Sequence, residues 1–173
     1  EHQNIININI LETGTARGFS SLCMAKALED NNKEGTIMTF DVLPHNSKMF
    51  WNCIDDHDGP KTRRELLSSW SSLLERYIVF CQGDTRIEMK KTKFERIHFA
   101  FLDGFHTYND IYFEYNEVKG YQKTGDIIIF DDYTPKMYPG LVKAVDEICQ
   151  TDDYLKIVIK SSNNRGYVIA EKK

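Results

Sequence analysis

Ile5-Ile6-Asn7-Ile8-Asn9-Ile10-Leu11-Glu12-Thr13-Gly14-Thr15-Ala16-Arg17-Gly18 is the stretch on which the fold turns. Its apolar run reads as a strand ending at Glu12, and Thr13 to Gly18 reads as a tight turn. Beyond it, Ser20 and Ser21 stand at a helix start, with Leu22, Ala25 and Leu28 on one helical face. Asn31-Asn32-Lys33-Glu34-Gly35 closes that helix. Strand, glycine-bearing turn and helix in this order open an α/β sheet.

The pattern repeats along the chain. A second strand, Thr36 to Phe40, ends at Asp41. From Val42 to Arg76 the first half is irregular, around Pro44 and Asp55-Asp56-His57-Asp58-Gly59-Pro60. The second half places Leu66, Trp70, Leu73 and Leu74 at helical spacing. Further strands run from Tyr77 to Cys81, Ile97 to Leu102 and Asp126 to Phe130. Helices are expected from Asn109 to Tyr121, with Ile111, Tyr115 and Val118 inward and Gly125 at the end, and from Leu141 to Cys149, with Val142, Val145 and Cys149 together. Leu155 to Lys160 and Tyr167 to Ala170 flank Asn163-Asn164-Arg165-Gly166, a hairpin turn. Strands such as Ile127-Ile128-Ile129-Phe130 are apolar throughout and so covered on both faces. The expected fold is α/β, a Rossmann-like doubly wound, mainly parallel seven-stranded sheet with an antiparallel C-terminal hairpin. It forms one domain over residues 1–173.

Composition narrows the function. With 173 residues, 41% of them hydrophobic, the chain can bury one domain's core. A net charge of −4 excludes a basic nucleic-acid surface, and no apolar run can cross a membrane. Cys23, Cys53, Cys81 and Cys149 form no C-x-x-C pair. Cys23, Cys81 and Cys149 sit in apolar segments, which suits reduced, buried thiols in the cytoplasm and excludes a zinc or disulfide framework.

The informative pattern is where the acids fall. Successive strands end at Glu12, Asp41, Asp84, Asp103 and Asp131-Asp132. In an open α/β sheet ligands bind outside the carboxyl ends of the strands. Acids gathered there call for a ligand rich in hydroxyls and positive charge, with a divalent cation. Gly14 and Gly18 let backbone amides face the ligand. Glu12, just before the first glycine, suits a cationic amino-acid moiety better than a pyrophosphate. Asp41 can accept both hydroxyls of a ribose.

On Leu11 to Ser20, Phe40-Asp41, Gly83-Asp84, Leu102-Asp103-Gly104-Phe105-His106-Thr107-Tyr108 and Phe130-Asp131-Asp132-Tyr133, the chain resembles the class I S-adenosylmethionine-dependent methyltransferases. Within them it is similar to the small O-methyltransferase-like group of macrolide-sugar methyltransferases and cephalosporin-hydroxylase-like proteins. The resemblance implies that Glu12, Gly14, Thr15, Ala16 and Gly18, with Ser20 nearby, surround the methionine part and sulfonium of S-adenosylmethionine. It implies that Asp41 holds the ribose, that Asp84 contacts the adenine, and that Gly83 lets it approach. Asp103, which also borders the cofactor, joins Asp131 and Asp132 as ligands of a magnesium ion. A bound cation would lower the pKa of an acceptor hydroxyl and fix its oxygen in line with the methyl group. Asp103 and His106 are the catalytic candidates. His106, three residues on, is either the general base or a metal ligand.

The family usually carries helices ahead of the first strand, so this chain is expected to be the core of a longer one. The acceptor is expected to be a small hydroxylated molecule, a sugar among the candidates, with no nucleic-acid or membrane partner and with homo-oligomerisation left open. His45, His57, Asp55, Asp56 and Asp58 read as a polar loop, and Met49, Phe50 and Trp51 as a lid or acceptor wall. Tyr108 and Tyr133 read as pocket walls. Arg63-Arg64 and Lys90-Lys91 read as solvated surface. The alternatives are a non-catalytic cofactor- or partner-binding module of the same fold and, against Glu12 and the missing middle glycine, a nucleotide-dependent oxidoreductase.

Overall fold

Alternating apolar runs assemble here into one sheet. The structure, a computed structural model, describes residues 7–151, 154–160 and 165–173. The strands are β1 (Asn7–Thr13), β2 (Glu34–Asp41), β3 (Ile78–Gln82), β4 (Phe99–Leu102), β5 (Ile127–Phe130), β6 (Tyr154–Lys160) and β7 (Gly166–Lys172). They lie in the order β3-β2-β1-β4-β5-β7-β6. β1 to β5 run parallel, and β7 is antiparallel to both β5 and β6. The expected sheet and C-terminal hairpin are therefore present. Ile5, Ile6, Asn163 and Asn164 lie outside the described residues. The chain steps outward from β1 to β3, then returns to β4 beside β1, so a crevice opens at the carboxyl ends of β1 and β4.

The helices are α1 (Phe19–Asp30), α2 (Arg63–Leu66), α3 (Ser71–Tyr77), α4 (Thr85–Lys91), α5 (Tyr108–Lys119) and α6 (Pro139–Thr151). α5 buries Ile111, Tyr115 and Val118 as expected, and Glu114 with them. It stops at Lys119, before Gly125, which instead turns the chain into β5 with φ +85°. α6 turns inward on Leu141, Ala144, Val145 and Ile148, with Val142 and Cys149 at the margin. The helical spacing from Leu66 to Leu74 is broken into α2, a 3-10 turn over Ser68–Trp70 and α3. Cys23 is exposed and Cys81 and Cys149 are half-buried, which corrects the expected burial. On α1 the inward positions belong to Ser21, Ala25 and Leu28, one step out of phase with Cys23.

The two sheet faces are unequally covered. Ala100, Leu102, Ile128, Phe130, Val168 and Ala170 pack with α5 and α6 into the main core. Alternation sends their neighbours to the other face. There Leu155, Ile157, Ile159 and Tyr167 stay 37–53% exposed. An apolar groove of about 690 Å³, bordered by Ile8, Met24, Leu28, Phe99 and Ile127, opens on that face, away from the acids.

Candidate functional site

The turn after β1 is held by backbone. Gly14 N–H donates to Phe40 O at 2.9 Å, and Asp103 N–H donates to Thr13 O at 3.1 Å, so β2 and β4 both grip it. Gly14 has φ +83°, and a Cβ there would stand 2.0 Å from Asp103 O. Only glycine lets the turn and the end of β4 meet this closely. Ala16 also sits at positive φ, +44°.

Glu12 is fully buried. Its carboxylate accepts hydrogen bonds from the hydroxyls of Ser20, Ser21 and Thr39. Burial pushes its carboxyl above the ordinary range, and those hydroxyls pull it back. Glu12, expected beside a cationic ligand, is here engaged with these three hydroxyls. Glu12 faces inward and ties the turn to α1 and β2, and Ser20 is engaged with it. Thr15 is buried, its hydroxyl 2.6 Å from that of Thr39. Gly18 caps α1 with φ +85° and abuts Leu67.

Asp41 ends β2 with its side chain 10% exposed. It accepts from Ala16 N at 2.6 Å, from Leu43 N at 2.8 Å and from Arg63 Nη2 at 3.3 Å. Arg63 corrects a reading. It is not solvated surface but buried, with its side chain 2% exposed. Its Nε donates to Ala16 O at 2.7 Å. Its guanidinium lies 5.3 Å from the Trp51 ring centre and 5.7 Å from that of Phe80. A neutralising carboxylate and two ring faces supply what solvent would have supplied. Arg64, Lys90 and Lys91 are exposed as expected.

Gly83 (φ +150°) and Asp84 follow β3, and Asp84 Oδ1 accepts from Arg86 N at 2.8 Å to cap α4. The loop from Pro44 to Pro60 is organised around Asp56, which accepts from Trp51 N at 2.8 Å and Cys53 N at 3.0 Å. Phe50 is exposed, whereas Trp51 is buried against Arg63.

At the ends of β4 and β5, one group of potential metal ligands emerges among the described residues. Ligand atoms of Asp103, His106 and Asp132 all lie within 4.8 Å of one another. His106 Nε2 is 3.4 Å from Asp103 Oδ1 and 3.5 Å from Asp132 Oδ2. His106 therefore stands where Asp131 was expected. Asp131 is adjacent, and burial plus the charges of Asp103 and Asp132 push its carboxyl upward. Asp132 has φ +51°, in the left-handed region. Arg165 donates to Asp132 Oδ1, with Nε at 3.0 Å and Nη2 at 2.6 Å. Asp103 raises the His106 pKa, and its hydrogen bond is the largest cause. That shift favours the imidazolium, which opposes a resting general base. Tyr138 stacks on His106 with centroids 4.4 Å apart, a wall the sequence did not single out. Tyr108 and Tyr133 donate their hydroxyls to Glu147 and Asp146, at 2.6 and 2.7 Å.

A parallel sheet with a glycine turn at its switch point and acids on its carboxyl edge defines a nucleotide-type cofactor fold. The chain belongs to the methyltransferase-domain family, whose sequence profile matches residues 11–133. No curated protein sequence matches it. Among solved structures it is similar to the O-methyltransferase NovP, at 19% identity and a TM-score of 0.71, over 98% of this chain and 74% of that one. It is similar to the O-methyltransferase TomG from Streptomyces achromogenes, involved in tomaymycin synthesis and solved with SAM, at 14% identity and a TM-score of 0.66, over 99% and 76% of the two chains. An rRNA methylase from Streptococcus thermophilus also shares the fold, at 12% identity and a TM-score of 0.64, over 96% and 87%. The family stands against the oxidoreductase alternative. Among the described residues no helix is long and apolar enough to cross a membrane.

Proposed function

We propose that this chain is an S-adenosylmethionine-dependent methyltransferase that methylates an oxygen of a small hydroxylated acceptor, a sugar among the candidates. The observation that supports it most is the family match over residues 11–133, which spans both the cofactor turn and the acid group at β4 and β5. The methionine part lies against the turn from Gly14 to Gly18, the ribose at Asp41, and the adenine beyond Gly83 at Asp84. A carboxylate offers about four acceptor sites. Three on Asp41 are taken by Ala16, Leu43 and Arg63, so gripping two ribose hydroxyls requires Arg63 to yield one.

The donor set fits a divalent cation. Asp103, His106 and Asp132 converge, and His106 and the largely exposed Arg165 are the cations in contact with their carboxylates. Two carboxylates and an imidazole accept magnesium or manganese, and equally zinc or iron, so the expected magnesium is one of several candidates. A cation held there by these residues would acidify and orient the acceptor hydroxyl. His106, released from its proton, then accepts that of the hydroxyl or stays a ligand. The rest of catalysis is positioning of two substrates. The RNA-methylating relative shows that the fold leaves the acceptor open; a net charge of −4 favours a small molecule over a phosphate backbone.

The test is calorimetric titration with S-adenosylhomocysteine, with and without magnesium or manganese, and with NAD as control. Micromolar binding of the first and none of NAD is expected. No binding of S-adenosylhomocysteine by the folded chain would sink the proposal.

A further inference from the structure

β6 is an edge, with no strand beyond it among the described residues. Edge strands are ordinarily guarded by charge, proline or a bulge, because their outer N–H and C=O groups invite a further strand. β6 is poorly guarded. It exposes Leu155, Ile157, Val158 and Ile159, each 37–53% open to solvent. β7 pairs with all seven of its residues in unbroken register, so no bulge twists the edge away. Of its two lysines, Lys156 is drawn to α6, where Asp146 and the Tyr133 hydroxyl, at 3.0 Å, hold its amine. Lys160 stands at the last position. The middle of the edge is left to aliphatic side chains. The opposite edge, β3, is shorter and exposes Val79 and Gln82 alone.

The strand that fits this edge is a second copy of itself. Two copies related by a two-fold axis perpendicular to the sheet meet antiparallel and keep their faces, so the axis falls on a residue. An axis at Ile157 sets Ile157 against Ile157, Leu155 against Ile159, Lys156 against Val158 and Tyr154 against Lys160. No like charges meet. An axis at Lys156 opposes the two Lys156 side chains, and an axis at Val158 opposes Lys156 to Lys160. Charge thus selects the register at Ile157, and that register joins the exposed Leu155, Ile157 and Ile159 of the two copies on one sheet face. We propose that this chain forms a homodimer by antiparallel pairing of β6 with β6 of a second copy, centred on Ile157, which makes one continuous sheet of the two. The pairing braces β7 as well, whose Gly166 O accepts from Tyr133 N at 2.7 Å and whose preceding residue, Arg165, reaches Asp132. This inference does not depend on the methyltransferase reading.

Sedimentation equilibrium of the chain tests this. A reversible dimer is expected at about 50 µM, dissociating on dilution. Ile157→Lys, which sets two ammonium groups together on the axis, should weaken association at least about tenfold. Leu155→Lys and Ile159→Glu should each weaken it alone, because each faces an aliphatic side chain of the second copy. Combined in one chain they face each other twice, and the double variant should recover most of the wild-type association. Ala27→Glu, on the α1 rim of the apolar groove, should leave the dimer intact. All four positions are exposed, so the variants are expected to keep the wild-type circular dichroism. A wild type that is monomeric at about 50 µM leaves the edge to another occupant and overturns the proposal. A dimer indifferent to Ile157→Lys, or one lost in Ala27→Glu, lies on another surface and overturns it too. Failure of the double variant to recover overturns the pairing at Ile157.

Discussion

The two halves of the carboxyl edge treat their acids differently. On the β1–β2 side the protein engages the carboxylates heavily, Glu12 with the three hydroxyls of Ser20, Ser21 and Thr39, and Asp41 at three of its acceptor sites, by two backbone amides and Arg63. On the β4–α5 side the acids keep unused capacity. Asp103 and Asp132 meet His106 at 3.4 and 3.5 Å, and Glu114 has a buried oxygen without a partner. Carboxylates engaged this heavily build a rigid cradle, whereas less engaged ones retain free energy for a ligand. Acid content alone does not mark a binding residue; unfilled valence does.

Removing the guanidinium breaks the first half most severely. Arg63→Met leaves Asp41 buried without its cation and should destabilise the fold by about 3 kcal/mol, as read by urea unfolding. A cost under about 1 kcal/mol would mean that this half is no more complete than the other.

Glu114 sharpens the contrast through pH. Its folded pKa, about 8, is above that of the unfolded chain. Between the two values only the unfolded state ionises, so stability falls as pH rises from the ordinary carboxylate range and levels off above about 8. The slope from this group is at most ~1.4 kcal/mol per pH unit. Unfolding midpoints at pH 5.5, 6.5 and 7.5 should show a decline in the wild type that Glu114→Gln flattens; equal slopes would refute it.

The metal group comes next. His106 must shed a proton to become a ligand, so manganese affinity should rise by up to about tenfold per pH unit below its raised pKa. Titrations at pH 6 and 7 check this, and His106→Gln should remove the dependence. The smallest effect belongs to Arg165→Ala. Its ion pair involves a side chain 63% exposed, so stability should shift by less than about 0.5 kcal/mol. Manganese should bind severalfold tighter once Asp132 Oδ1 is released, and unchanged affinity would show that Arg165 does not compete.

The sheet was legible because strand patterning and turn residues are local. The acids at the strand ends were legible for the same reason, since a strand's last residue lies on the carboxyl edge by construction. Partners were not legible. Arg63 bonds to Ala16, 47 positions away, and nothing in its own neighbourhood marks it as buried. The inward turn of Glu12 depended on Thr39 from another strand. Tyr138 reaches His106 from a different loop. Glu114 did leave a signal. Ile111, Glu114, Tyr115 and Val118 follow the i, i+3, i+4, i+7 spacing of one helical face, so a carboxyl was written into an apolar stripe.

The left-handed backbone at Asp132 carries an evolutionary consequence. Position 132 comfortably admits little beyond Gly, Asn and Asp. Single-nucleotide changes connect Asp to Asn and Asp to Gly. Selection can therefore step from a charged side chain to a neutral polar one, or to none, without disturbing the backbone. Descendants of this chain could retune the charge of this edge by drift at one codon, while the cradle on the other half stays fixed.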